Sequence, residues 1–164
     1  MGTWDELDID IEVELDTSKL DAFESAFAEL GISTAPISDI KKELKEKVAK
    51  GAEEIANQAK SLQEQYIRNN GSIHTGRLLS SIYIFHTGDM TYTVGTTISH
   101  FYPLCIENGR GAVRPVRAKA LHYITKNGQE VFSQYSSPTT PKPFVQPAYD
   151  KLKGDATSII KKHL

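Results

Sequence analysis

The sequence predicts an α+β fold in which an antiparallel β-sheet of hairpins packs against one long helix, with shorter N- and C-terminal helices completing the domain. Three observations predict it. Residues 9–15 alternate aliphatic and acidic side chains with a period of two. Residues 39–69 place apolar or small side chains at steps of three and four with no proline among them. Further on, two stretches rich in β-branched and aromatic residues are each divided by a turn signal, as hairpins are. A chain of 164 residues, 39% hydrophobic and 24% charged, is the size and composition of one soluble globular domain, taken here as 1–164.

The first strand and helix are expected within residues 8–31. Ile9, Ile11, Val13 and Leu15 fall on one face of an extended chain and Asp10, Glu12 and Glu14 on the other, the signature of a half-buried strand. Leu20, Phe23, Phe27 and Leu30 then follow at helical spacing after the capping residues Thr17 and Ser18, and Gly31 closes the helix. The stretch "GISTAPIS" reads as a connection because Gly31 and Pro36 break the pattern. The long helix, 39–69, carries Ile40, Leu44, Val48, Ala52, Ile55, Ala59, Leu62 and Tyr66 along one side, with Gly51 its one weak position. At 1.5 Å per residue it would run roughly 45 Å, longer than so small a domain covers, so either part of it projects or is covered by a neighbour, or it lies across a sheet. Asn70-Gly71-Ser72 formally matches a glycosylation sequon and reads as the turn that ends the helix. A first hairpin is expected over 80–96 and a second over 119–133, the latter with Asn127-Gly128 supplying a tight primed turn. A proline-rich link leads to a last amphipathic helix, 146–163.

Charge is unevenly distributed. Residues 1–70 hold sixteen acids and eight bases and residues 71–164 five acids and eleven bases, so the halves stand at −8 and +6. That argues against a uniformly basic nucleic-acid binder and suits self-association in which an acidic end meets a basic one. No apolar run approaches the roughly 20 residues that span a bilayer, and the acidic, alternating beginning of the chain does not have the form of a secretory signal, so no membrane partner is expected. The single cysteine, Cys105, excludes an internal disulfide and points to a reducing compartment.

The stretch "YPLCIENGRGAVRPVRAKAL", residues 102–121, gathers the chain's candidate reactive and basic residues. Cys105, with His100, His122 and Asn108 near it in sequence, has the residue types of a thiol hydrolase, but it stands between Leu104 and Ile106, the setting of a small apolar side chain. The five histidines show no pair at metal-ligand spacing, and "GRG" is too short to cradle a phosphate, so no catalytic residue, metal or cofactor is expected. His86 and His122 are expected in strands as partly buried, hydrogen-bonded rings. Arg110, Arg114, Arg117 and Lys119 form a basic run suited to phosphates, without the aromatic residues that stack single-stranded bases beside it. Gly109 and Gly111 loosen this backbone and Pro115 stiffens it, so residues 108–118 read as a mobile arm leaving a short apolar helix at Pro103–Glu107.

Four segments, "HTGRLLSSI" at 74–82, a hairpin ending "VGT" at 94–96, "FYPLCIENG" at 101–109 and "PKPFVQPAYDKL" at 141–152, follow the order and approximate spacing of a family of long-tailed bacteriophage proteins. The chain resembles the neck, or head–tail joining, proteins of that family, also known as tail-component or gene-product-ten-like proteins. The matching positions are Thr75, Gly76, Leu78 and Ser81 in the first motif, Tyr102, Glu107 and Gly109 in the second, and Pro143, Phe144, Pro147 and Ala148 in the third. Gly76 would make a turn launching the first long strand, Phe144 would bury its ring, and Pro147 would begin the last helix, where a missing N–H costs nothing. Asn108, Arg110 and Pro103 depart from the family pattern.

The resemblance implies a structural virion protein without catalysis, made in the cytoplasm of a bacterial host from a phage or prophage gene. Copies of it would form a ring oligomer in the neck that joins the head connector to the tail. Its neighbours would be a head-closure or connector protein and a tail completion or tail tube protein, with non-specific contact to passing DNA. Tail completion, as a terminator component, is the neighbouring alternative, and a nucleic-acid-binding module using the basic arm is the other. Ring closure requires a head-to-tail contact between two different surfaces. Asp8, Asp10, Glu12 and Glu14 of one copy facing Arg110, Arg114, Arg117 and Lys119 of the next would supply one.

Overall fold

The computed structural model describes residues 7–72, 76–98, 101–125 and 127–164. The family-motif residue Thr75, and His74 and His100, lie outside them. The α+β architecture expected from the sequence is present.

Strand β1, Ile9–Glu12, realises the alternation of the sequence: Ile9 and Ile11 are buried, Asp10 and Glu12 exposed. It pairs antiparallel with β3, Thr91–Thr96, which also pairs antiparallel with β2, Ile82–Gly88, giving the order β1-β3-β2 with β1 and β2 at the edges. The hairpin begins later than residue 80 because Arg77–Ser80 form a helical turn, α3. Gly76, at φ 76°, therefore introduces this turn, and the strand follows it. Ser81 joins the pieces: its Oγ donates to Leu78 O at 2.7 Å and lies 2.6 Å from Thr96 Oγ1, and its carbonyl accepts from Thr97 N–H.

Helix α1, Ser18–Glu29, buries none of its residues. It leans on α2, Ala35–Asn69, where Lys41 Nζ reaches Asp21 at 2.5 Å and also bonds Glu24. Thirty-five residues make α2 about 52 Å long. It starts four residues before the expected Asp39. Pro36 sits in its first turn, where proline's missing N–H is no loss, so it initiates the helix that the sequence reading had it interrupt. Both expectations for so long a rod are met in part. From Val48 onward α2 lies on the sheet and buries Ala52, Ile55, Ala56 and Ala59, whereas Ala35–Lys47 bury Ile37 alone and leave Ile40 about half exposed.

Helix α5, Val145–His163, runs beside α2 and places Ala148, Leu152 and Ile159 in the same core as Leu7, Ile9, Ile11, Ile82, Tyr92 and Val94. At Gly51 α5 packs directly onto α2: a Cβ there would lie 2.7 Å from Ile160 Cδ1. The weak position of the helix is thus a site of close packing. Gln63 is fully buried on α2, and both polar atoms of its amide lack a hydrogen-bond partner among the described residues.

Between the sheet and α5, the short helix α4, Tyr102–Asn108, ends at Gly109. Strands β4, Leu121–Ile124, and β5, Glu130–Ser133, then form a separate two-stranded sheet. Its loop differs from the primed turn expected. Thr125 N–H donates to Gln129 O, Gly128 N–H donates to Thr125 O, and of the described loop residues Gly128 has a positive φ, 79°, whereas Asn127 does not. A left-handed glycine just before the returning strand suits a hairpin loop longer than two residues, and it leaves Asn127 unstrained.

Candidate functional site

The second and third motifs, more than thirty residues apart in sequence, meet at one joint. A helix beginning at Val145 needs acceptors for its first N–H groups, and "KPFVQPAY" offers no serine, threonine, aspartate or asparagine to supply one. Glu107 supplies it from the end of α4. Its Oε2 accepts from Phe144 N–H at 2.7 Å and Val145 N–H at 3.0 Å, and its Oε1 accepts from Gln146 N–H at 2.9 Å. The next residue, Pro147, has no N–H to satisfy. Pro147 is therefore the third residue of α5, with Val145 the first. A buried carboxylate facing a helix N-terminus is stabilised by both the hydrogen bonds and the helix dipole.

The rest of the joint is equally specific. Phe144 is among the largest fully buried side chains, as expected, and Ala148 is fully buried one turn into α5. Lys142 N–H donates to Ile106 O at 2.7 Å, and Asn70 Nδ2 donates to Lys142 O at 2.9 Å, which ties the end of α2 to the same place. Gly109 adopts φ 71°, ψ −179°, a region that only glycine enters readily, and a Cβ on it would lie 2.5 Å from Thr139 O. Tyr102 Oη donates to Ser72 O at 3.5 Å, and burial raises its pKa. Leu78 is buried in the core beside this region.

What leaves the joint is unlike the rest of the chain. From Gly109 to Pro143 no described residue is buried. Val116 is 95% exposed, Phe132 68% and Ile124 57%. The arm expected over 108–118 is in part fastened to the returning chain. Arg110 exchanges two backbone hydrogen bonds with Thr139, Val113 exchanges two with Ser136, and Arg110 Nη2 donates to Ser136 Oγ at 2.6 Å. Beyond these bridges Arg114 places its guanidinium 5.4 Å from the centre of the Tyr135 ring and Lys119 O accepts from Gln134 Nε2, while the Arg117 and Lys119 side chains are exposed.

The acidic residues occupy the other sheet. Asp10 Oδ1 accepts from Thr93 Oγ1 at 2.6 Å, the Asp8 carboxylate lies against Gly95, and Glu12 and Glu14 are exposed. No ion pair among the described residues joins Asp10, Glu12 or Glu14 to Arg110, Arg114, Arg117 or Lys119. Cys105 is half-buried on α4, in a hollow shared with Phe101, Leu104, Asn108 and Val113. His86 and His122 stack on Tyr92 and Phe132, with ring centres 4.7 Å apart in each pair, and both are exposed where partly buried, hydrogen-bonded rings were expected. Among the described residues no cluster of histidine, cysteine or acids is arranged to hold a metal ion, and no helix is long and apolar enough to cross a membrane.

Sequence reasoning missed the Glu107 cap. The one signal for it was negative: a helix start with no local cap must borrow an acceptor from elsewhere. No known family model, curated protein or solved structure matches the chain.

Proposed function

We propose that this protein is a structural subunit of the neck of a long-tailed bacteriophage, several copies closing into a ring that joins the head connector to the tail. The observation that carries the reading is the joint. Four of the residues on which the family resemblance rests, Glu107, Gly109, Phe144 and Pro147, are assembled into a clamp at the root of an exposed excursion. A domain that anchors so firmly a segment with no core of its own is built to present that segment to another polypeptide. The ring contact is heterologous, the basic run on the excursion of one copy facing the acidic residues around β1 of the next.

The test is electron microscopy of particles from a strain lacking this gene. Neck joining predicts complete heads and complete tails that fail to unite. Tails of faulty length or ending would assign the chain to tail completion instead, and normal virions would refute both. In the purified protein, Arg114→Glu with Arg117→Glu is expected to weaken self-association and flatten its dependence on salt. Unchanged assembly with unchanged salt dependence would remove the charge pairing. A shift of duplex DNA at low salt by the assembled ring, abolished by the same pair of changes, would place the run in the lumen instead.

A further inference from the structure

We infer that the β4–β5 hairpin of one copy adds edgewise to strand β1 of the next copy, extending its sheet and filling the apolar groove between β1 and α5. The inference rests on the ring reading and specifies the surfaces that close it. On the receiving side, β1 is an edge strand, and among the described residues its outer edge is paired with nothing. Edge strands offer unpaired N–H and C=O groups to an incoming strand. Beside this edge runs a groove of about 500 Å³ whose apolar lining includes Ile11, Val13, Tyr149, Ala156, Ile160 and Leu164.

On the donating side, a two-stranded sheet with no buried residue is marginal by itself in water. Its exposed Ile124 and Phe132, with Val116 on the adjoining segment, are apolar surface in need of a cover. Charge selects which edge the hairpin takes and excludes self-pairing. Residues 8–16 hold five acids and no base, residues 110–135 five bases and one acid, and residues 77–88, which include the other edge strand β2, no acid and one base. The hairpin itself, 121–133, holds one base and one acid, but the segment that leads into it, 110–119, holds four bases and no acid; that segment is attracted to β1, has no such partner at β2, and so brings the hairpin to the β1 edge. Two β1 strands placed side by side would bring like charges together, which opposes a symmetric β1–β1 dimer. The contact therefore joins unlike surfaces and propagates from copy to copy, as a ring requires.

The experiment uses the full chain. With photoreactive p-benzoylphenylalanine in place of Phe132, irradiation followed by mass spectrometry should link residue 132 to peptides of a second copy within 8–14 or 149–164. In parallel, one variant reverses the acids (Asp10→Lys, Glu12→Lys, Glu14→Lys) and another the bases (Arg114→Glu, Arg117→Glu, Lys119→Glu). Each should keep the circular dichroism of the parent, since Glu12, Glu14 and the three bases are exposed. Each alone should self-associate at least about tenfold more weakly at low salt, and an equimolar mixture should recover assembly, because each variant then finds the opposite charge on the other. Crosslinks to β2 or to another surface of a second copy, with assembly indifferent to the charge reversals, would overturn the hairpin–β1 contact and leave the ring standing. A parent chain that sediments as a monomer and forms only crosslinks within one copy would overturn the contact and count against the ring with it.

Discussion

Two regions of this molecule follow opposite rules. In the body, made of the β1-β3-β2 sheet with α2 and α5, alternation and helical periodicity translate directly into burial: Ile9 and Ile11 of β1, Ala52, Ile55 and Ala59 of α2, and Leu152 and Ile159 of α5 share one core. In the excursion from Gly109 to Pro143, strands form with regular register, yet no described side chain is buried. Secondary structure is the same in kind, but only the body has something to pack against. A segment like the second one is held by its ends, and both ends are held at Glu107: the chain departs just after it and returns to its carboxylate at Phe144.

The comparison breaks most readily at that carboxylate. Glu107→Ala removes three hydrogen bonds to a charged acceptor and leaves buried donors at the start of α5 unmet, which should cost about 3 kcal/mol in denaturant unfolding. Glu107→Gln keeps one acceptor oxygen and turns an N–H₂ toward the remaining donors, so it should fall between. A loss under about 1 kcal/mol for the alanine variant would mean that the excursion is not held there.

A smaller effect of opposite sign sharpens the contrast from the side of the body. Among the described residues the Gln63 amide is buried in the core without hydrogen-bond partners. Gln63→Leu fits nearly the same volume and relieves the desolvated amide, so it should stabilise the protein by about 1 kcal/mol. If unfolding shows a loss instead, the amide is serving a contact that leucine cannot replace.

How much of this was legible in the sequence divides along the same line. Strand β1, the turn at Asn70-Gly71-Ser72 and α5 follow from local pattern, because a period of two or of 3.6 reports which face meets the core. Pro36 was misread because a proline looks the same whether it breaks a helix or begins one, and only the structure of the preceding residues decides. The hairpin loop was misread because Asn-Gly suits more than one loop length. In the site, Gly109 and Phe144 were visible as a conformational need and as a ring to bury, whereas Glu107 looked like one acid in a basic stretch. Its role depends on a helix start that lies 37 residues away from it in sequence, and no local pattern encodes such a pairing.

The smallest expected effect lies at the far end of α5, where the body closes on itself. Glu54 on α2 lies 2.5 Å from His163 Nε2 and 3.5 Å from Lys162 Nζ, and these two side chains also sit favourably at the negative end of the α5 dipole. The hydrogen bond to His163 is the chief cause that holds the Glu54 carboxyl below its ordinary pKa, with Lys162 adding to it. A carboxyl whose folded-state pKa is depressed binds fewer protons when folded than when unfolded between the two values. Its contribution is therefore fully present above the ordinary carboxylate range, about pH 4, and is lost as pH falls through the depressed value. The pair is open to solvent and screened, so Glu54→Gln should lower Tm only slightly at neutral pH, and less in high salt. Thermal unfolding of parent and variant should converge as the pH is taken below the carboxylate range. A difference that persisted there would show that Glu54 acts through packing, and that this end of the body, unlike the joint at Glu107, is not held by charge.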